Sequence, residues 1–294
     1  MNTIPRELFK QVKKIEIKTR RVVDDITAGA YRSVFKGRGI EFDEVREYTS
    51  DDDVRDIDWN VTARMGSPYI KKYVEERELT VFLAIDVSAS SAYGSGVKTK
   101  RSCAIEIAAL LAFSAIRNND KVGLMLFTDK IELFVPPKSG KTHGLRIIRE
   151  LVAANPENKG TNISNAFKNL LNVLHKKAVI FLMSDLITDE NYGRHLLIAN
   201  KKHDVVAIRI LDPLELRWPK SAYMNLMDSE NGYQIAFNAK SSFLCKNFSQ
   251  AAEELHNENK KICARAKVDM IDLICGEDPV KQLVKFFRQR ESKH

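Results

Sequence analysis

The sequence predicts an α/β protein: a doubly wound, mostly parallel sheet with one antiparallel edge strand. From about residue 80, short apolar runs alternate with helical periods, as strands and crossover helices do in a parallel sheet. The apolar runs 121 to 127 and 131 to 135 are joined only by Thr128-Asp129-Lys130, too short for a crossover helix, so they form a hairpin that adds the edge strand. Two of the strand runs end in serine and aspartate, at the carboxyl ends where such sheets bind ligands.

Residues 1 to 79 form a separate segment. A helical pattern runs to about Ala30, and the following stretch mixes Gly, Asp and Arg with Phe35, Phe42, Tyr48, Trp59 and Tyr69. That composition predicts an ordered arm or small subdomain, pinned to the core by aromatics and charge pairs. The core, 80 to 294, opens with strand 80 to 86 and the apolar helix 99 to 117, followed by the 121 to 135 hairpin. Helices 143 to 154 and 162 to 175 precede strand 177 to 183; helix 190 to 201 precedes strand 203 to 210. Two short strands within 221 to 237 flank Asn231-Gly232, a strong hairpin turn signal, and read as an insertion. A helix from about 246 to 267, a last strand near 268 to 275 and a helix from about Asp278 to Arg290 complete the chain.

The run VFLAIDVSAS sets Asp86, Ser88 and Ser90 just beyond the first core strand. Thr161 precedes a helix, and AVIFLMSD puts Ser184 and Asp185 at the end of another buried strand. Asp86, Ser88, Ser90, Thr161 and Asp185 make an all-oxygen set without imidazole or thiolate, suited to Mg²⁺ or Mn²⁺ and not to Zn²⁺. The bland alternative is that the serines only cap the following helix. The order Asp-x-Ser-x-Ser, Thr, Asp resembles the metal-ion-dependent adhesion site of von Willebrand factor A domains. That resemblance implies that Ser88 and Ser90 ligate the metal directly, Thr161 directly or through water, and Asp86 and Asp185 largely through water. It also implies an open position that an acidic residue of a partner would fill.

Composition narrows the classes. The chain has 294 residues, 44% of them hydrophobic, enough for a core without staples. Its four cysteines, Cys103, Cys245, Cys263 and Cys275, are scattered with no Cys-x-x-Cys pair, which suggests neither a zinc site nor a disulfide framework. No signal-peptide hydrophobic run opens the sequence, and the longest apolar helix contains Glu106 and falls short of the roughly 20 residues that span a bilayer. A cytoplasmic protein without a transmembrane segment is the expectation. The net charge of +8 permits a basic-surface nucleic-acid binder, but the bases are interleaved with acids and no nucleic-acid-binding motif directs them. Nucleic acid is therefore not expected as a partner.

The arm carries a second resemblance. GRGIEFDEVREYTSDDDVRDIDWNVTAR, YIKKYVEERELTVFLAIDVSAS, FTDKIELFVPPKSGKTHGLRIIREL, RILDPLELRWP and GEDPVKQLVKFFR together resemble the domain of unknown function 58 family, across nearly the whole chain. The resemblance implies an arm leading into a von Willebrand factor A-like domain. It also implies partnership with MoxR-type AAA+ ATPases, and with further A-domain proteins in some bacteria, in protein maturation, complex assembly or stress tolerance. The resulting expectation is a metal-ion-dependent protein-protein interaction module and not an enzyme.

Rival readings meet specific obstacles. A metal-dependent phosphohydrolase using Asp86 as nucleophile wants a second Asp where Ser88 stands, and serine cannot serve as acid/base near neutral pH. Histidines such as His143, His175 and His203 fall in loops or at helix ends, where a solvated role is expected. Ser139-Gly140-Lys141-Thr142 matches the end of a P-loop, but Val135 stands where the first glycine belongs, so the stretch reads as a basic surface loop. Gly37-Arg38-Gly39 lacks a third glycine. Asp51, Asp52, Asp53, Asp56 and Asp58 lack the Gly and Glu of an EF-hand; they are expected to pair with Arg46, Arg55 and Arg64 or cap a short helix, leaving Trp59 buried.

Overall fold

A computed structural model describes residues 40–50, 52–75, 78–216, 224–227, 232–237 and 240–292. The helical pattern expected before Ala30, Phe35 and the Gly37–Gly39 segment lie outside the described residues.

The arm folds on itself. Strand β1 (Ile40–Glu47) pairs antiparallel with β2 (Tyr69–Glu75) in a two-stranded sheet separate from the central one. Between them lie a 3-10 turn, Val54–Asp56, and the short helix α1 (Trp59–Met65). Three of the acids act as expected from the sequence, while Asp51 lies outside the described residues: Asp53 caps the turn through Arg55 N–H, Asp58 caps α1 through Asn60 and Val61 N–H, and Asp52 takes a two-pronged bond from Arg46 at 2.6 and 2.9 Å. Trp59 corrects the expectation of burial. It opens α1 with 68% of its surface exposed, whereas Ile70 of β2 is buried.

The core follows from period-two burial on both faces of one sheet. Strand β3 (Thr80–Asp86) pairs in parallel with β4 (Lys121–Phe127) on one side and β6 (Val179–Ser184) on the other. Antiparallel β5 (Ile131–Lys138) borders β4, and β7 (Asp204–Leu211) and β10 (Asp269–Ile274) continue beyond β6, giving the order β10-β7-β6-β3-β4-β5. Val81, Leu83 and Ile85 point to helices α2 (Lys100–Arg117) and α3 (Lys141–Ala153), while Phe82 and Ala84 point to α4 (Ile163–Val173) and α5 (Gly193–Lys202). A strand buried on both faces has to be apolar throughout, as VFLAI is. Helix α2 is buried almost all round, and a Cβ at Gly144 of α3 would fall 1.8 Å from Ile116 Cδ1, so the end of that side chain occupies the space glycine leaves.

A short helix α6 (Pro213–Leu216) follows β7 and leads to the insertion, where β8 (Met224–Met227) and β9 (Gln234–Phe237) form the expected antiparallel hairpin. Gly232 has φ +75°, and residues 228–231 of the turn lie outside the described residues. Helix α7 (Ser242–Arg265) and the closing helix α8 (Pro279–Glu291) flank β10, with α7 against the Phe82 face and α8 against the Val81 face.

Several boundaries moved for physical reasons. β5 runs through Pro136 and Pro137 to Lys138, since an edge strand tolerates residues that cannot donate to a ladder. Gly140, at φ +97°, then turns the chain straight into α3 at Lys141, so the P-loop-like stretch is a strand-to-helix corner. His203 is a second correction. It is buried where α5 enters β7, and burial pushes its imidazole down to about 4, so it is neutral and not solvated.

Candidate metal centre

Because β3 is followed by β4 on one side while β6 returns on the other, the crevice at their carboxyl ends is the topological switch point of the sheet. Asp86 ends β3, and the Ser88 N–H donates to Asp86 Oδ1 at 2.9 Å, turning the chain sharply out of the strand. Ala89–Ala92 then forms a 3-10 turn closed by Ser91 Oγ donating to Ser88 O at 2.7 Å. Ala89 N–H donates to Lys159 O and Asn162 N–H to Thr128 O, which draws the segment around Thr161 over the crevice. Asn162 caps α4 by accepting from Asn165 N–H at 2.7 Å, so Thr161 is held just outside that helix.

All five sequence-predicted residues meet. Thr161 Oγ1 donates to Asp86 Oδ2 at 3.3 Å, Ser90 Oγ donates to Asp185 Oδ2 at 2.8 Å, and the Ser88 and Ser90 hydroxyl oxygens lie 3.2 Å apart. A sixth residue joins them: Ser184 Oγ donates to Asp86 Oδ2 at 2.7 Å while accepting from Leu186 N–H. Ser90 and Thr161 spend their protons on carboxylates, which leaves hydroxyl lone pairs for another partner. Asp185 Oδ1 accepts from Ile187 N–H at 3.1 Å.

The backbone after Asp185 is strained. Leu186 has φ +58° with a buried side chain, a left-handed conformation that is rare for such a residue and costs on the order of 1–3 kcal/mol. It is held because its carbonyl accepts from Asn259 Nδ2 of α7 at 3.1 Å, and Asn259 Oδ1 in turn accepts from Tyr192 Oη at 2.7 Å.

Charge in the crevice is unbalanced. Asp86 and Asp185 are both buried, and burial together with the Asp185 carboxylate pushes the Asp86 carboxyl up to about 6. The sequence reading did not identify Lys100, which is only 3% exposed and whose Nζ donates to Asp185 Oδ2 at 2.8 Å and to Glu215 Oε1 of α6 at 2.6 Å. Those carboxylates keep the ammonium charged against the cost of its burial. Behind them, fully buried Asp212 accepts from Ser95 N–H at 2.8 Å, Ser95 Oγ at 2.5 Å and Leu214 N–H at 2.9 Å. One signal pointed to Lys100: it is the first residue of α2, where the helix dipole disfavours a cation unless anions face it.

The residues suit a hard divalent cation. Among the described residues, no group of three or more His, Cys, Asp and Glu side chains is placed to hold a metal, so any such ion here depends on hydroxyls beside two carboxylates. That is an all-oxygen set of the kind Mg²⁺ and Mn²⁺ take. The Asp86 carboxyl is raised first by its burial and then by the Asp185 carboxylate beside it.

Comparison with known proteins places the fold. The chain is 25% identical over 286 residues to the uncharacterised protein Rv1480 of Mycobacterium tuberculosis, covering 97% of this chain and 90% of that one. The crystal structure of an aerotolerance-related membrane protein from Bacteroides fragilis superposes with a TM-score of 0.51 at 16% identity, over 74% of this chain and all of the other. The SpRpn10 VWA domain aligns with a TM-score of 0.44 at 12% identity, over 71% of this chain and 95% of the other. The fold, α/β with a mostly parallel six-stranded sheet and one antiparallel edge, is shared with the Bacteroides fragilis protein. Among the described residues, no helix is long and apolar enough to cross a membrane. The model of the family described as "Protein of unknown function DUF58" matches residues 44–258, and the chain belongs to that family.

Proposed function

We propose that this chain is a metal-ion-dependent protein-recognition module, in which Asp86, Ser88, Ser90, Thr161 and Asp185 hold Mg²⁺ or Mn²⁺. The observation that carries this reading is the convergence of hydroxyl and carboxylate oxygens from three separate segments on one crevice. When bound, the ion would supply a Lewis-acidic position open to a carboxylate from a partner. Ser88, Ser90 and Thr161 would offer hydroxyl oxygens. Asp185, whose oxygens already accept from Ser90, Lys100 and Ile187, would act through water.

The partner we propose is a MoxR-type AAA+ ATPase, with this chain selecting or presenting a client during protein maturation or stress tolerance. The family resemblance supports that partner, and the aerotolerance-related name of the Bacteroides fragilis protein is consistent with a stress role for this chain. The test is co-purification of tagged protein with the ATPase in Mg²⁺, in EDTA and with Asp86→Ala. Retention only by the wild type in Mg²⁺ supports the reading. Equal retention in all three arms contradicts the metal bridge.

A further inference from the structure

Lys100 has no counterpart among the five predicted oxygen donors, yet it is buried more deeply than all of them but Ser88. It stands at the start of α2, where the helix dipole opposes it, and its ammonium touches the same Asp185 oxygen that accepts from Ser90. A buried ion pair adds little stability by itself, because desolvation offsets the attraction. Its position does have a consequence for any second cation. A divalent ion among Asp86, Ser88, Ser90 and Thr161 would share Asp185 with a fixed positive charge one hydrogen bond away.

Resting on the metal-dependent reading above, we infer that Lys100 is a built-in competitor for the divalent ion: its ammonium already neutralises Asp185 and keeps the site's affinity for the ion below what its oxygens alone would give. Glu215 sets the strength of that competition. It draws the ammonium toward α6 at 2.6 Å, against 2.8 Å to Asp185, so that Lys100 is divided between the metal site and the helix that leads into the hairpin insertion. A unit charge a few ångströms from the ion, at the effective dielectric of a partly buried site, is worth more than tenfold in binding.

The test is Mn²⁺ titration of the wild type and Lys100→Met by calorimetry, with Mn²⁺-induced thermal stabilisation as a second readout. Lys98→Met serves as control, since it removes the same charge from a pair with Glu106 outside the site. Lys100→Met should bind Mn²⁺ at least tenfold more tightly and gain more thermal stability from it, with Lys98→Met unchanged. A purely structural lysine would give the opposite sign, a looser ion in a loosened site. Unchanged or weaker affinity in folded Lys100→Met overturns the inference while leaving wild-type metal binding standing, whereas no uptake by either protein overturns both. If Lys100→Met does not fold, Glu215→Gln decides. Leaving the whole ammonium on Asp185 should weaken Mn²⁺ binding about fivefold, and an unchanged or tighter ion refutes the competition.

Discussion

The Ser90 hydroxyl donates to the Asp185 carboxylate across 2.8 Å, fastening the turn after β3 to the end of β6. The bond orients both groups at once, since it fixes which face of the hydroxyl oxygen is free and occupies one carboxylate oxygen. Ser90→Ala should therefore fold, at a cost of about 1 kcal/mol for a lost hydrogen bond, yet lower Mn²⁺ affinity tenfold or more. Urea unfolding alongside calorimetric titration checks both. A large loss of stability with metal affinity intact would reverse the assignment.

Asp86 predicts a pH dependence whose sign can be worked out. Its folded carboxyl is raised to about 6 from an unfolded value near 3.8, so the folded state holds the proton more tightly. This group's contribution to stability is complete below about pH 4 and is lost as pH rises through 6. A shift of about two units corresponds to about 3 kcal/mol at the upper limit. In EDTA, Asp86→Asn should lack this loss between pH 4 and 7, and saturating Mg²⁺ should suppress it in the wild type. Denaturant unfolding across that range measures the difference.

Asn259 holds strained Leu186 from α7, giving its amide to the Leu186 carbonyl and its oxygen to Tyr192. Asn259→Ala leaves both buried partners unsatisfied and should cost about 2–4 kcal/mol. Because Leu186 follows Asp185, the same change should also weaken Mn²⁺ binding, which a titration of the folded variant would detect.

Gly144 makes the complementary prediction. A methyl group there would push aside the end of the Ile116 side chain, a cost offset by the helix propensity gained, so Gly144→Ala should change stability by no more than about 1 kcal/mol and leave metal affinity unchanged, since α3 contributes nothing to the crevice. Thermal unfolding and Mn²⁺ titration of the same preparation separate the two effects.

What the chain disclosed before folding was whatever depends on local pattern. VFLAI declared a strand buried on both faces, the three-residue link after Phe127 declared the antiparallel edge, and Asp86, Ser88, Ser90, Thr161 and Asp185 could be picked out because each sits where an element begins or ends. Lys100 stood out only as a cation at a helix start; its role comes from Asp185 and Glu215, which lie 85 and 115 positions away and meet it only in the folded sheet. Trp59 and His203 failed for the opposite reason. Residue type is a poor guide to burial where a two-stranded arm has little interior, or where a helix end is driven into the core.

The most direct test of the central claim is the Mn²⁺ stoichiometry of wild-type protein compared with Ser88→Ala/Ser90→Ala, read by electron paramagnetic resonance of free and bound ion. One ion per wild-type chain, absent from a folded double variant, is the predicted result. Equal uptake by both proteins, or none by the wild type, would contradict a metal centre at the carboxyl ends of β3 and β6.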